Sequence, residues 1–145
     1  ADDTHGTCST HSMPNTSDTT LEGRFTRGYM MVNLVEFDSL YGHRRDVQGY
    51  GRELEMFDYQ LGGLLELVTD QDLLLITADH GNDPTWKGTD HTRELVPILG
   101  YSPAFTGPID LGDRRSFADI GQTILENFGV TESFMGESFL CELGN

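Results

Sequence analysis

Two short stretches of this 145-residue chain carry the oxygen and nitrogen side chains that hold divalent metals. The first is Thr77-Ala78-Asp79-His80-Gly81-Asn82-Asp83-Pro84-Thr85-Trp86-Lys87-Gly88-Thr89-Asp90-His91-Thr92-Arg93-Glu94, directly behind an apolar run. The second, Asp38-Ser39-Leu40-Tyr41-Gly42-His43, repeats the arrangement behind the apolar residues 30–37. Carboxylate oxygen and neutral imidazole nitrogen suit Mn²⁺, Zn²⁺ or Fe²⁺, and the absence of a nearby cysteine argues against a thiolate zinc or iron–sulfur site. The candidate metal ligands are Asp38, His43, Asp79, His80 and His91, and two such loops can build a two-metal centre. Gly42 and Gly81 leave room for tight loop geometry beside them.

Such ligands must be delivered by something rigid. Residues 28–37 read as a buried strand that Asp38 closes, and Asp72-Leu73-Leu74-Leu75-Ile76-Thr77, apolar on both faces, reads as a central parallel strand. Between them Val47, Tyr50, Leu54, Phe57, Leu61, Leu64, Leu65 and Val68 recur at helical steps behind Asp46 as N-cap. Val96-Pro97-Ile98-Leu99-Gly100-Tyr101 supplies a third strand, its proline fitting an edge or a strand start. A second helix opens at Ser116 as N-cap, with Asp119 at the capping-box position and Gly129 ending it. This order predicts an α/β fold, a mainly parallel sheet flanked by helices, whose strand ends carry the ligands. Residues 1–27 read as a polar, irregular lead-in and 28–145 as the metal-binding core.

Composition narrows the partners. Twenty-four acids against nine Lys and Arg give a formal charge of −15, which disfavours nucleic acid and suits bound cations. Cys8 and Cys141 imply no disulfide framework, and no apolar run is long enough to span a membrane. A cytoplasmic enzyme is the expectation. Arg44, Arg45 and Arg93 suit either phosphate contact or local ion pairing, with structure the favoured role.

The strings Asn33 to Asp46, Thr77 to Glu94 and Ser116-Phe117-Ala118-Asp119-Ile120-Gly121 closely resemble the phosphopentomutase family of the alkaline phosphatase superfamily. The likeness runs from about Met31 to Leu140, and Gly-His-Arg-Arg-Asp and Gly-Thr-Asp-His-Thr-Arg-Glu are its most specific parts. The resemblance implies an alkaline-phosphatase-like core and interconversion of the 1- and 5-phosphates of ribose or deoxyribose. It implies two Mn²⁺ ions, with Asp38, His43 and His91 on one and Asp79 and His80 on the other. It also implies a phosphothreonine and a further aspartate on segments amino-terminal to these motifs, and an inserted cap domain gripping the sugar phosphate. No residue of this chain is then expected to be the nucleophile; Thr85, Thr89 and Thr92 are not. The chain is accordingly expected to be the carboxyl-terminal portion of a longer enzyme, inactive alone. The alternatives are a phosphatase of the same superfamily or a non-catalytic metal-binding or structural fragment. Oligomeric state is left open.

Overall fold

The computed structural model describes residues 27–132 and 135–143; the expected lead-in falls almost wholly outside them. The chain divides into two units at Asn33/Leu34. Of the first, residues 28–33 form neither helix nor strand. The second, from Leu34, contains every named element.

Residues 37–42 are a π-helix, followed by α1 (Val47–Leu65), β1 (Leu74–Thr77), β2 (Ile98–Tyr101), α2 (Ala118–Asn127) and the short α3 (Leu140–Leu143). Asp46 caps α1 as its position predicts, accepting the Gly49 N–H at 2.8 Å. Phe37 of the π-helix packs edge-on against Tyr50 and Phe57 of α1, with ring centroids 5.3 and 6.3 Å apart. Contacts of this kind contribute about 0.5–1.5 kcal/mol each beyond the area they bury. Leu61 and Leu65 of α1 face Leu74, Ile76, Leu99 and Tyr101 across an apolar cleft.

The sheet departs from expectation. Among the described residues it has two strands, paired antiparallel in the register Leu74↔Tyr101 to Thr77↔Ile98. A parallel pair needs a crossover, usually helical, whereas residues 78–97 fold back through the ligand loop and return β2 in the opposite sense. The predicted first strand is also not formed. Met30, Met31 and Val32 stand exposed, and among the described residues no strand pairs with them. A run apolar on both faces becomes a strand only when neighbours take its N–H and C=O groups.

At the other end of the second unit, α2 closes as predicted. Gly129, at φ 74°, and Val130 donate to the Glu126 and Leu125 carbonyls, a Schellman stop. Its start differs: Ser116 Oγ accepts from Ala118 N–H, but no capping box forms. The nearly buried Asp119 carboxylate instead accepts from Glu137 N–H at 3.0 Å and Arg114 Nε at 3.2 Å. Thr123 Oγ1 donates to the Asp119 carbonyl and accepts from Phe139 N–H, seating the fully buried Phe139.

Candidate metal centre

The π-helix sets the first half of the site. In an α-helix residues five apart lie about 140° apart around the axis, so Asp38 and His43 would diverge. Here the His43 N–H bonds the Asp38 carbonyl at 2.9 Å, an i→i+5 step that brings the two side chains together. Their atoms Asp38 Oδ1 and His43 Nε2 are 3.4 Å apart. Asp38 therefore does not sit at a strand exit; the rarest helical turn positions it, and such turns gather at functional sites.

The second half comes from the loop behind β1. Its base is pinned where Gly81 and Thr92 bridge, with Thr92 N–H donating to the Gly81 carbonyl at 3.0 Å. A Cβ on Gly81 would lie 2.3 Å from Glu94 Oε2 and 2.9 Å from the Thr92 carbonyl oxygen, so this glycine is needed for room rather than for an unusual φ. The closed loop returns His91 to Asp38: His91 Nε2 is 3.3 Å from Asp38 Oδ1 and 3.1 Å from His43 Nε2. Asp38, His43 and His91 thus present three ligand atoms to one point.

The triangle fits a metal. Ligand atoms held by one ion at about 2.0–2.2 Å lie about 2.8–3.6 Å apart at octahedral to tetrahedral angles, and the three edges here are 3.1, 3.3 and 3.4 Å. The tautomer fits too. His43 Nδ1 bonds the Thr89 carbonyl; a carbonyl only accepts, so Nδ1 carries a proton and Nε2 is the ring atom that would coordinate an ion once deprotonated. Burial alone would raise the Asp38 carboxyl, but the Asn82 hydrogen bond and the His43, His91 and His80 imidazoles together hold it below its ordinary value. It is an anion facing two imidazole nitrogens, and all three side chains are partly exposed to solvent.

His80 and Asp79 lie beside this triad. His80 Nε2 is 4.0 Å from Asp38 Oδ1 and 3.6 Å from Asp79 Oδ2, while the Asp79 side chain is 84% exposed at the rim. The structure therefore gathers Asp38, His43 and His91 into one cluster, sets His80 against it, and brings Asp79 only as far as His80. Two further residues shape the cluster. Asn82 Nδ2 donates to Asp38 Oδ1 at 2.6 Å, a contact that spacing alone gave no reason to expect. Its one sequence signal is its place directly behind Asp-His-Gly. Arg45 spends its guanidinium on the Gly42, Asp83, Gly88 and Asp90 carbonyls and on Asn82 Oδ1, a structural use, though not the local ion pairing expected from sequence. Asp83 is a turn residue, accepting from the Thr85 N–H and hydroxyl.

This geometry defines a candidate centre for a divalent metal, and the chain belongs to the Metalloenzyme superfamily, whose family model matches residues 4–132. Within that class its similarity is to one kind of enzyme. A phosphopentomutase of Levilactobacillus brevis is 57% identical over 116 residues, covering 80% of this chain and 29% of the relative. Phosphopentomutases of Clostridium perfringens and Agathobacter rectalis are 53% and 54% identical over 137 residues, covering 93% of this chain and 34% of each relative. The chain spans about a third of the length of these curated relatives.

Proposed function

We propose that this chain carries the metal-binding portion of a phosphopentomutase, an isomerase moving a phosphoryl group between the C1 and C5 oxygens of ribose or deoxyribose, with the cytoplasm as its compartment. The observation that carries the reading is the convergence of Asp38, His43 and His91 in a chain 53–57% identical to phosphopentomutases. Asp38, His43 and His91 are assigned to one Mn²⁺, and Asp79 with His80 to a second. Bound there, the ions would neutralise charge on the phosphoryl oxygens and stabilise the attacking and leaving oxygens of an in-line displacement.

The chain's own residues prepare that chemistry. Thr89 fixes the His43 tautomer through its carbonyl, Asn82 orients Asp38, and the partial exposure of the cluster leaves access for a phosphoryl oxygen. Thr85 donates its hydroxyl to Asp83, and Thr92 accepts the Asp83 N–H at 2.7 Å, so both are committed to folding the loop. Neither is assigned as the phosphoryl acceptor, and the 145-residue chain alone is expected to bind Mn²⁺ without turnover.

Titration calorimetry with Mn²⁺, on the wild type and on His91→Ala, tests the centre; a folded wild type that binds no ion, or equal binding by the variant, overturns it. Phosphorus NMR of ribose 5-phosphate with the chain and Mn²⁺ tests the chemistry. Formation of ribose 1-phosphate would place an acceptor within the chain, and release of inorganic phosphate would favour a phosphatase.

A further inference from the structure

Between Arg45 and Asp38 sits an amide whose orientation the chemistry dictates. Arg45 Nη1 lies 2.7 Å from Asn82 Oδ1, and Asn82 Nδ2 lies 2.6 Å from Asp38 Oδ1. A guanidinium can only donate and a carboxylate can only accept. With Arg45 in place the oxygen of Asn82 must face it, and the NH₂ must face Asp38. Were the amide to turn over, its oxygen would oppose the carboxylate and its NH₂ would oppose the guanidinium, losing both bonds.

Arg45 is itself held in an unusual state. It is the one non-glycine residue at positive φ among those described, at 56°, a conformation that persists when surrounding contacts over-determine it. Those contacts join the turn that carries His43 to the loop that carries His91: the guanidinium bonds the Gly42 carbonyl at 3.0 Å and the Asp83 carbonyl at 2.9 Å, and those of Gly88 and Asp90. Gly42 makes the arrangement possible, since a Cβ there would lie 2.4 Å from Asn82 Nδ2.

We infer that Arg45 is a positioning residue for the metal centre, acting through Asn82: it locks the side-chain amide so that Asp38 keeps a fixed orientation toward His43 and His91. The inference rests on the metal-centre reading given above and adds residues that bind no metal themselves. Outer partners that orient metal ligands typically change affinity about 10- to 100-fold when removed.

The test combines two measurements on the full chain. In metal-free protein, the Asn82 side-chain NH₂ is expected to give two resolved, slowly exchanging NMR signals in the wild type. Arg45→Gly, which accepts the positive φ and so spares the turn, should bring their exchange rate to that of exposed asparagines. Calorimetry with Mn²⁺ should then show about 10-fold or greater weakening in Arg45→Gly and in Asn82→Ala, with the double variant no weaker than the worse single one. Arg45→Lys, which keeps the charge but not the fork, should fail to rescue. Additive losses, or unchanged Asn82 protection in Arg45→Gly, overturn the inference. Failure of the wild type to bind Mn²⁺ overturns the metal-centre reading instead, and the Asn82 signals still decide the role of Arg45.

Discussion

The ring of His80 stacks on the ring of His91, with centroids 3.7 Å apart and planes 23° from parallel. One residue lies three positions behind β1 and the other closes the loop that follows, so the stack fixes the plane in which His91 approaches Asp38. It also keeps His80 Nε2 at the edge of the triad, 4.0 Å from Asp38 Oδ1. Losing either ring therefore has different consequences. His91→Ala removes a ligand atom and should abolish tight Mn²⁺ binding, whereas His80→Ala removes a support and should weaken it about 10-fold. Calorimetry on the two variants separates them; equal losses would make His80 a full member of the same site.

Stoichiometry is a second consequence. Three side chains face one point, but Asp79 and His80 bring only two groups to any other, and protein metal sites with an open position generally use three. The chain should bind one Mn²⁺ tightly. Paramagnetic resonance of free Mn²⁺ during a titration reads the number directly, and two ions held with comparable affinity would contradict the expectation that Asp79 and His80 alone make the weaker site.

Gly42→Ala should act on the metal without touching a ligand. The added methyl would meet Asn82 Nδ2 at 2.4 Å and the Phe37 carbonyl oxygen at 2.8 Å. The first can move only by surrendering its bonds to Asp38 and Arg45, and the second is backbone. A stability loss of about 1–3 kcal/mol is expected from such overpacking, together with weaker Mn²⁺ binding. Denaturant unfolding and calorimetry on one preparation measure both, and a variant with wild-type affinity would show that Asn82 adapts freely.

How far residue patterns disclose this architecture depends on how local each cause is. The apolar stripe from Val47 onward and the run at Leu74–Thr77 are self-contained signals, and both became elements where expected. The dense ligand content of the loop behind β1 pointed to residues of which the structure brings His91 to Asp38 and His43 in a candidate site. The run at 28–37 misled because strand composition does not supply a strand partner, and the sense of β2 depended on how residues 78–97 return. The π-helix escaped notice because an i→i+5 turn leaves no simple apolar period. Asn82 and Arg45 matter through one another across the fold, a relationship that neither residue announces along the chain.

Asp119→Ala tests what holds the carboxyl-terminal segment. The carboxylate is almost fully buried, paired with Arg114, and accepts the Glu137 N–H. Arg114 in turn reaches Glu142 at 2.9 Å and lies over the Phe139 ring. Removing one partner of such a pair strands the other, a loss of about 3–5 kcal/mol. Chemical denaturation should show it, with Mn²⁺ affinity retained because these groups belong to the α2–α3 end and not to the ligand cluster. A change under about 1 kcal/mol would mean that Arg114 finds water or Glu142 sufficient.

The turn between α1 and β1 carries a pH dependence whose sign follows from its bonds. Asp72 Oδ2 accepts from the Thr69 hydroxyl at 2.7 Å and the Thr69 N–H at 2.9 Å. The hydroxyl first and the backbone second hold this carboxyl below its ordinary value, against a small opposing effect of burial. A carboxyl lowered on folding stabilises the folded state fully above its unfolded value, about pH 4, and loses that contribution as pH falls through the folded value. Asp72→Asn should therefore lower the Tm at pH 7, and the gap to wild type should narrow as the pH falls from about 4 through the lower folded value. Thermal unfolding across that range checks it: a gap that stays constant would assign the effect to the shape of the turn rather than to the ionised carboxylate.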